Sequence, residues 1–223
     1  MLRDPTPLAR RAIVLVWIWF ATDCLVALES VWEISVLSGV NSDASADQVL
    51  GDGADPAVIT GLAYLLGIIT SGWMVLRWVY VVNRNAHHWS DAMTIGPKWN
   101  VGWFFVPIAG LWMPFAGLRQ SRGATIDPQH PDRVPVPAWM RLWWGLWITS
   151  LMLGNFAGRL AFAADTAGEM TAANWLYVLS IPIDLPLTIL LCHLIREVSA
   201  MQQARIADMA SMAPEGPAHT SHR

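Results

Sequence analysis

Long apolar stretches alternate with shorter polar ones along the chain. Ala12 to about Leu37 is apolar apart from Asp23, Glu29 and Glu33. Gly39 to Pro56 is polar, rich in Gly, Asn, Ser and Asp. Three further apolar runs follow, Ala57 to Val82, Ala138 to Leu160 and Ala173 to Ile195. A membrane-crossing helix needs about 20 predominantly apolar residues. The pattern therefore predicts four spans, over 12–37, 57–82, 138–160 and 173–195, in an all-α integral membrane bundle. The first run is too long for a signal-peptide core and no small-residue cleavage site follows it, so it is read as a retained helix.

A fifth apolar stretch, 99–118, is nearly long enough to cross but breaks the pattern. Pro107 and Pro114 each remove a backbone donor and clash with the preceding helical turn. Lys98 and Arg119 flank it on both sides. It is predicted to be a re-entrant or interfacial segment that bends near the prolines and returns to the side it left. With four spans and a returning 99–118, the connections 38–57 and 161–172 contain no Lys or Arg, and the other side holds all the basic residues except Arg77 and Arg159. Cytoplasmic loops carry the Lys/Arg excess, so both termini are expected in the cytoplasm. Residues 1–198 form one transmembrane domain on this reading. Residues 199–223 form a helical extension that ends in a disordered tail.

Composition sharpens the class. The 223 residues are 54% hydrophobic and 14% charged, against about 25% charged for a soluble domain. Of the 14 tryptophans, Trp139, Trp143, Trp144 and Trp147 crowd the start of the third span, as an interfacial belt does. The net charge of −3, with no basic cluster, argues against a nucleic-acid partner. Cys24 and Cys192 both lie in apolar runs, which argues against a disulfide framework. The expected partner is the lipid bilayer. Gly67-x-x-x-Ser71 and Gly154-x-x-x-Gly158 place small residues on helix faces, through which other membrane proteins or a second copy can pack.

The stretch from Trp78 to Phe115 carries a recognisable pattern. Trp78, Tyr80 and Asn85 are followed by Pro97, Trp99, Gly102, Trp103, Pro107, Ile108, Leu111, Trp112, Pro114 and Phe115. This spacing resembles the DUF4328 family of bacterial multi-pass membrane proteins. The resemblance implies a location in the bacterial cell (inner) membrane. That family has no known function, so it implies no catalytic residue. For Asn85 a capping or hydrogen-bonding role is expected.

Candidate chemistry is sparse. No phosphate loop, nucleophile elbow or metal-ligand spacing appears, and the acids of 39–56 do not fit a calcium-loop spacing. No catalytic residue, metal site or cofactor is predicted. Ionisable residues within apolar helices are costly and face protein or water. Glu29 and Glu33 lie one turn apart near the outer end of the first helix, and Arg159 lies near the outer end of the third. They are predicted to form a structural ion pair. Asp23 and Asp184 lie deeper. Pro182 and Pro186 flank Asp184 and free the carbonyls of Val178 and Pro182; a broken helix with a carboxylate makes a cation or proton site. Arg77 is the expected partner of Asp184. His87, His88 and His193 cluster toward the cytoplasmic end, where histidines can ligate haem or a metal. Three functions follow: a scaffold, accessory or regulatory membrane protein; a small transporter or ion-handling protein using Asp184, Asp23 and Arg77; and a membrane-interface enzyme or haem protein using the histidines. The absence of recognisable chemistry favours the first.

Overall fold

A computed structural model describes residues 2–51 and 56–212. Seven α-helices organise them: α1 (Thr6–Leu37), α2 (Ala46–Leu50), α3 (Pro56–Trp89), α4 (Pro97–Gly102), α5 (Met113–Ile126), α6 (Ala138–Ala163) and α7 (Ala167–Ser211). Among the described residues no strand ladder forms; Ser45 and Thr166 make an isolated bridge. Three helices are long and apolar enough to cross a membrane: α1, Val58–Trp89 of α3, and α7. Helix α6 has 26 residues, roughly 39 Å at 1.5 Å per residue, and is not one of these three.

The long helices overrun the apolar runs that predict them. Helix α3 continues past Val82 to Trp89, and α7 covers 45 residues without a break. That is roughly 68 Å, about twice the hydrocarbon thickness of a bilayer. The helical extension expected from residue 199 is the continuation of α7 as far as Ser211, with Ser199 and Gln202 still buried. The tail expected to be disordered falls on 213–223, and Asp52 and Asp55 of the acidic loop fall on 52–55; both lie outside the described residues. The helix is not broken at Pro182 and Pro186, as the sequence suggested; both prolines sit inside it. Its start is fixed by a capping box. The Thr166 hydroxyl accepts from the Glu169 amide (3.3 Å), and Glu169 Oε2 accepts from the Thr166 amide (3.2 Å), satisfying donors that a helix start leaves orphaned.

The four long helices pack in the order α3–α1–α7–α6. Helix α1 lies against α3 and α7, and α6 lies against α7; α3 and α6 do not pack on each other. Close approach of α1 and α3 depends on Gly67, where a Cβ would meet Thr22 Oγ1 at 3.0 Å and the Trp19 Cα at 3.3 Å. Small residues at membrane-helix contacts serve this purpose. Gly154 differs: nothing lies within 4 Å of its Cβ position. The outward face of α3 is apolar, with Ile59, Leu62, Leu66, Ile69 and Trp73 exposed at helical spacing, as a lipid-facing stripe requires.

Between α3 and α6 the chain folds back on itself. Helix α4 leads into a single 3-10 turn, Trp103–Phe105. The backbone leaves helical geometry around Pro107, makes a second such turn at Ala109–Leu111, and enters α5. Pro114 sits in the first turn of α5, where its missing N–H would have had no helical partner. The two arms are clamped together. The amides of Thr94 and Ile95 donate to Gln120 Oε1 (3.3 Å each), and Gln120 Nε2 donates to Thr94 Oγ1 (2.7 Å). Buried Asn100 lies against Gly117, where a Cβ would come within 2.0 Å of Asn100 Oδ1. Residues 99–118 thus begin and end at one end of the bundle. The tip is apolar and outward, with Phe105 and Ile108 each 72% exposed. Helix α5 runs on to Ile126, so the polar loop expected from Arg119 shortens to 127–137.

Candidate functional site

Two buried carboxyls meet on one cavity. On α1 the buried positions Ala12, Val16, Asp23, Ala27, Ser30 and Glu33 follow a helical stripe, which turns Asp23 toward the bundle. On α7, Ser180, Asp184, Leu187 and Thr188 form the matching stripe. Asp23 and Asp184 are 8% and 3% exposed and lie within electrostatic reach of each other. Both line a cavity of about 560 Å³ bounded by α1, α3, α6, α7 and the tip of the hairpin. The Tyr64 ring lies within reach of both acids, and the hydroxyls of Ser150 and Ser180 lie within hydrogen-bonding reach of Asp184. Asp23 Oδ2 and Asp184 Oδ1 have no hydrogen-bond partner among the described residues. The lining contains no Lys, Arg or His. A negative charge at such depth needs a positive partner, and the cavity walls supply none.

Arg77 is not that partner. It lies exposed on the outer side of α3, while the next residue, Trp78, faces the bundle and is fully buried. The expected pairing of Arg159 with Glu29 or Glu33 is also absent from the ion pairs of the described residues. Both glutamates instead take neutral donors. Thr60 of α3 donates to Glu29, and Asn174 Nδ2 of α7 donates to Glu33 Oε2 at 2.7 Å. The two carboxylates thereby tie α1 to its neighbours on both sides. Arg159 lines a shallow surface groove with Asn155 and Phe162. His87 Nδ1 lies 3.0 Å from the Asn83 carbonyl, and His193 lies against Trp139 and 3.6 Å from Glu197. Among the described residues no three His, Cys, Asp or Glu side chains converge on one point.

The motif residues have a different task. Hereafter the end of the bundle that holds Arg3 and Gln202 is called proximal. Asn85 Nδ2 donates to the Arg3 carbonyl (2.7 Å) and to Gln202 Oε1 (3.0 Å), and Asn85 Oδ1 accepts from the Arg3 amide (3.1 Å). Gln202 Nε2 donates to the Val82 carbonyl (3.0 Å) and to Thr125 Oγ1 (3.2 Å). Trp78 Nε1 donates to Ser199 Oγ (2.9 Å), and Asn83 Nδ2 to Ser121 Oγ (3.1 Å). Arg122 and Glu197 form an ion pair at 2.8 Å. In the hairpin, the Trp99 and Trp103 rings lie 4.9 Å apart, tilted by 30°, and Gly102 closes α4. Trp144 Nε1 donates to the Leu111 carbonyl at 2.8 Å, covering one carbonyl at the bend, as irregular backbone at membrane depth requires. Pro97 opens α4, Pro107 marks the bend and Pro114 opens α5. The family model for a domain of unknown function matches residues 41–200.

The chain belongs to the DUF4328 family. In this chain Trp78, Asn85, Gly102, Pro97, Pro107 and Pro114 therefore shape and dock the hairpin and tie the proximal end together. No curated protein and no solved structure matches the chain. Sequence reasoning missed Gln202, Ser199 and Ser121 as partners of that pattern. A signal was present for the first two: Ile195, Val198, Ser199 and Gln202 recur at 3- and 4-residue steps and are all buried.

The proximal network predicts a measurable coupling. Gln202→Ala leaves Asn85, Thr125 and the Val82 carbonyl each short of a partner. An unsatisfied buried polar group costs about 1–3 kcal/mol, so apparent stability in detergent should fall by about 2–4 kcal/mol. Asn85→Ala and Gln202→Ala should be non-additive by about 0.5–3 kcal/mol in a double-mutant cycle. Additive losses would show that the two amides act independently.

Proposed function

We propose that this DUF4328 member is a four-span protein of the bacterial inner membrane, with both termini cytoplasmic, that binds a small ligand or ion inside the membrane at Asp23 and Asp184. One observation carries the reading. Two nearly inaccessible carboxyls share a cavity whose walls contain no basic side chain. Glu29 and Glu33 each accept from a neighbouring helix, from Thr60 and Asn174, whereas Asp23 and Asp184 face the cavity with one buried oxygen each unpartnered among the described residues. A buried acid left short of partners costs stability and marks a binding or transport site in membrane proteins.

The four-span topology counts α6 as the fourth crossing and the 97–126 hairpin as re-entrant from the cytoplasm. Support comes from the Lys/Arg asymmetry, the 26-residue length of α6 and the apolar outward tip at Phe105 and Ile108. A second reading is a scaffold, accessory or regulatory protein that associates through α6. It is favoured by the open Gly154 position beside exposed Phe156 and Phe162.

Two measurements test these statements. In a chain lacking Cys24 and Cys192, Ser42→Cys should react with an impermeant thiol reagent added to intact cells, and Gln129→Cys should react only after lysis. Labelling of position 129 from outside would end the four-span topology. For the site itself, an apolar carbodiimide attacks protonated carboxyls in low-dielectric surroundings. Mass spectrometry should find modification at Asp23 or Asp184 and none at Asp165, with a water-soluble carbodiimide leaving both deep acids unmodified. Labelling of Asp165 alone would remove the site.

A further inference from the structure

We infer that the cavity takes a lipophilic organic ammonium ion, which enters sideways from the bilayer between α3 and α6; this rests on the acid-pair reading of the site proposed above. The polar end of the ligand follows from the acids. Asp23 Oδ2 and Asp184 Oδ1 are buried with no hydrogen-bond partner among the described residues, Asp184 has only the neutral hydroxyls of Ser150 and Ser180 within reach, and the described lining offers neither carboxyl a positive charge. An ammonium group supplies three N–H donors and the charge together.

The apolar end follows from the walls. Trp19, Tyr64, Phe104 and Trp147 line the same space, together with aliphatic side chains of all four long helices. Aromatic faces attract a desolvated cation, and the aliphatic wall suits a hydrocarbon body. A hard inorganic cation is poorly served here, since calcium takes six to eight oxygen ligands. Beside the two carboxyls the lining holds the hydroxyls of Ser71, Ser150, Ser180, Tyr64 and Tyr177 and the Asn155 amide, spread through a largely hydrocarbon surround, and among the described residues no three metal-ligating side chains converge. A volume of about 560 Å³ lies within the roughly 300–1,000 Å³ usual for small-molecule sites.

The route follows from helix order. Helices α3 and α6 do not pack on each other. Residues on their facing edges line the cavity and the outer surface at once: Gly61 and Ile68 on α3, Leu151 and Gly154 on α6, and Phe105 at the hairpin tip. Gly61, Gly72 and Gly154 all line the cavity, and a Cβ at any of them would meet nothing within 4 Å. The gap is flanked by the apolar outer faces of both helices, so what reaches it comes from lipid.

The test uses the full chain in phosphatidylcholine nanodiscs, with radiolabelled 4-phenylbutylamine as probe and 4-phenylbutanol as its uncharged match. Amine binding should saturate. Asp184→Asn and Asp23→Asn should each weaken it at least about tenfold, the usual scale for removing one side of a desolvated charge pair. Asp165→Asn should leave it unchanged, and the alcohol should bind at least about tenfold more weakly. Gly72→Phe should slow association by narrowing the mouth. Should an Asn variant fail to fold, wild-type protein gives an independent readout: the amine, and not the alcohol, should protect the deep acids from the apolar carbodiimide. Equal binding of amine and alcohol, or protection by sodium or potassium where the amine gives none, would overturn this inference. In either case intact carbodiimide labelling would leave the acid-pair site standing, whereas loss of labelling in unliganded protein would remove both.

Discussion

A buried amide left without partners is costly, and at the proximal end Asn85 and Gln202 meet that demand from four directions. Asn85 takes the backbone of Arg3 and the side chain of Gln202; Gln202 takes the Val82 carbonyl and Thr125. These contacts draw the N-terminus, α3, α5 and α7 to one point. With α5 fixed there, one side of the hairpin packs on the bundle while its tip stays outward. Phe104 then lies 6.5 and 5.9 Å from the Trp144 and Trp147 rings of α6, while Phe104 and Phe105 floor the cavity. The hairpin therefore occupies the proximal part of the gap between α3 and α6.

The distal end is closed by other means. Glu29 with Thr60, Glu33 with Asn174 and the bridge between Ser45 and Thr166 tie α1 and its connection to α3 and α7. Both ends of the bundle are thus tied by side-chain hydrogen bonds and, at the proximal end, by the Arg122–Glu197 ion pair, while in the middle two acids face a shared cavity with no basic side chain in its described lining. A sequence selected only for stability would fill that middle with apolar side chains, since replacing buried charge by well-packed hydrocarbon is often stabilising. Retaining Asp23 and Asp184 there is the kind of local cost that functional sites carry.

How much of this the sequence reveals depends on what one dimension encodes. Depth is legible: Asp23 and Asp184 fall near the middle of their helices, as residue count says. Breaks are legible too, because Pro107 and Pro114 act on the backbone itself, and the bend between them follows. Direction around the helix axis is not legible for isolated residues. Arg77 shares a stripe with Thr70, Arg84 and His88, but nothing local states that Trp78, Val79 and Val82 win the bundle-facing side. The same limit sinks the pairing of Arg159 with Glu29 and Glu33, since equal height does not bring side chains together. Their actual partners, Thr60 and Asn174, are neutral and invisible to a search for opposite charge. Pro182 and Pro186 mislead in another way. Each removes one helical hydrogen bond, but the 45-residue helix α7, packed on α1 and α6, continues through both. The Trp78–Phe115 motif, by contrast, marks the hairpin and says nothing of the acids, because Asp23 precedes it and Asp184 follows it in the chain.

The central claim is a laterally open cavity with two acids and no protein cation, and a cryo-electron microscopy map of the full chain in a lipid nanodisc tests it most directly. The account predicts α3 and α6 standing apart above the 97–126 hairpin, with Asp23 and Asp184 on one shared space and Arg77 on the lipid side of α3. A map with α3 packed along α6, or with any Lys or Arg side chain of the protein seated on either acid, would contradict it.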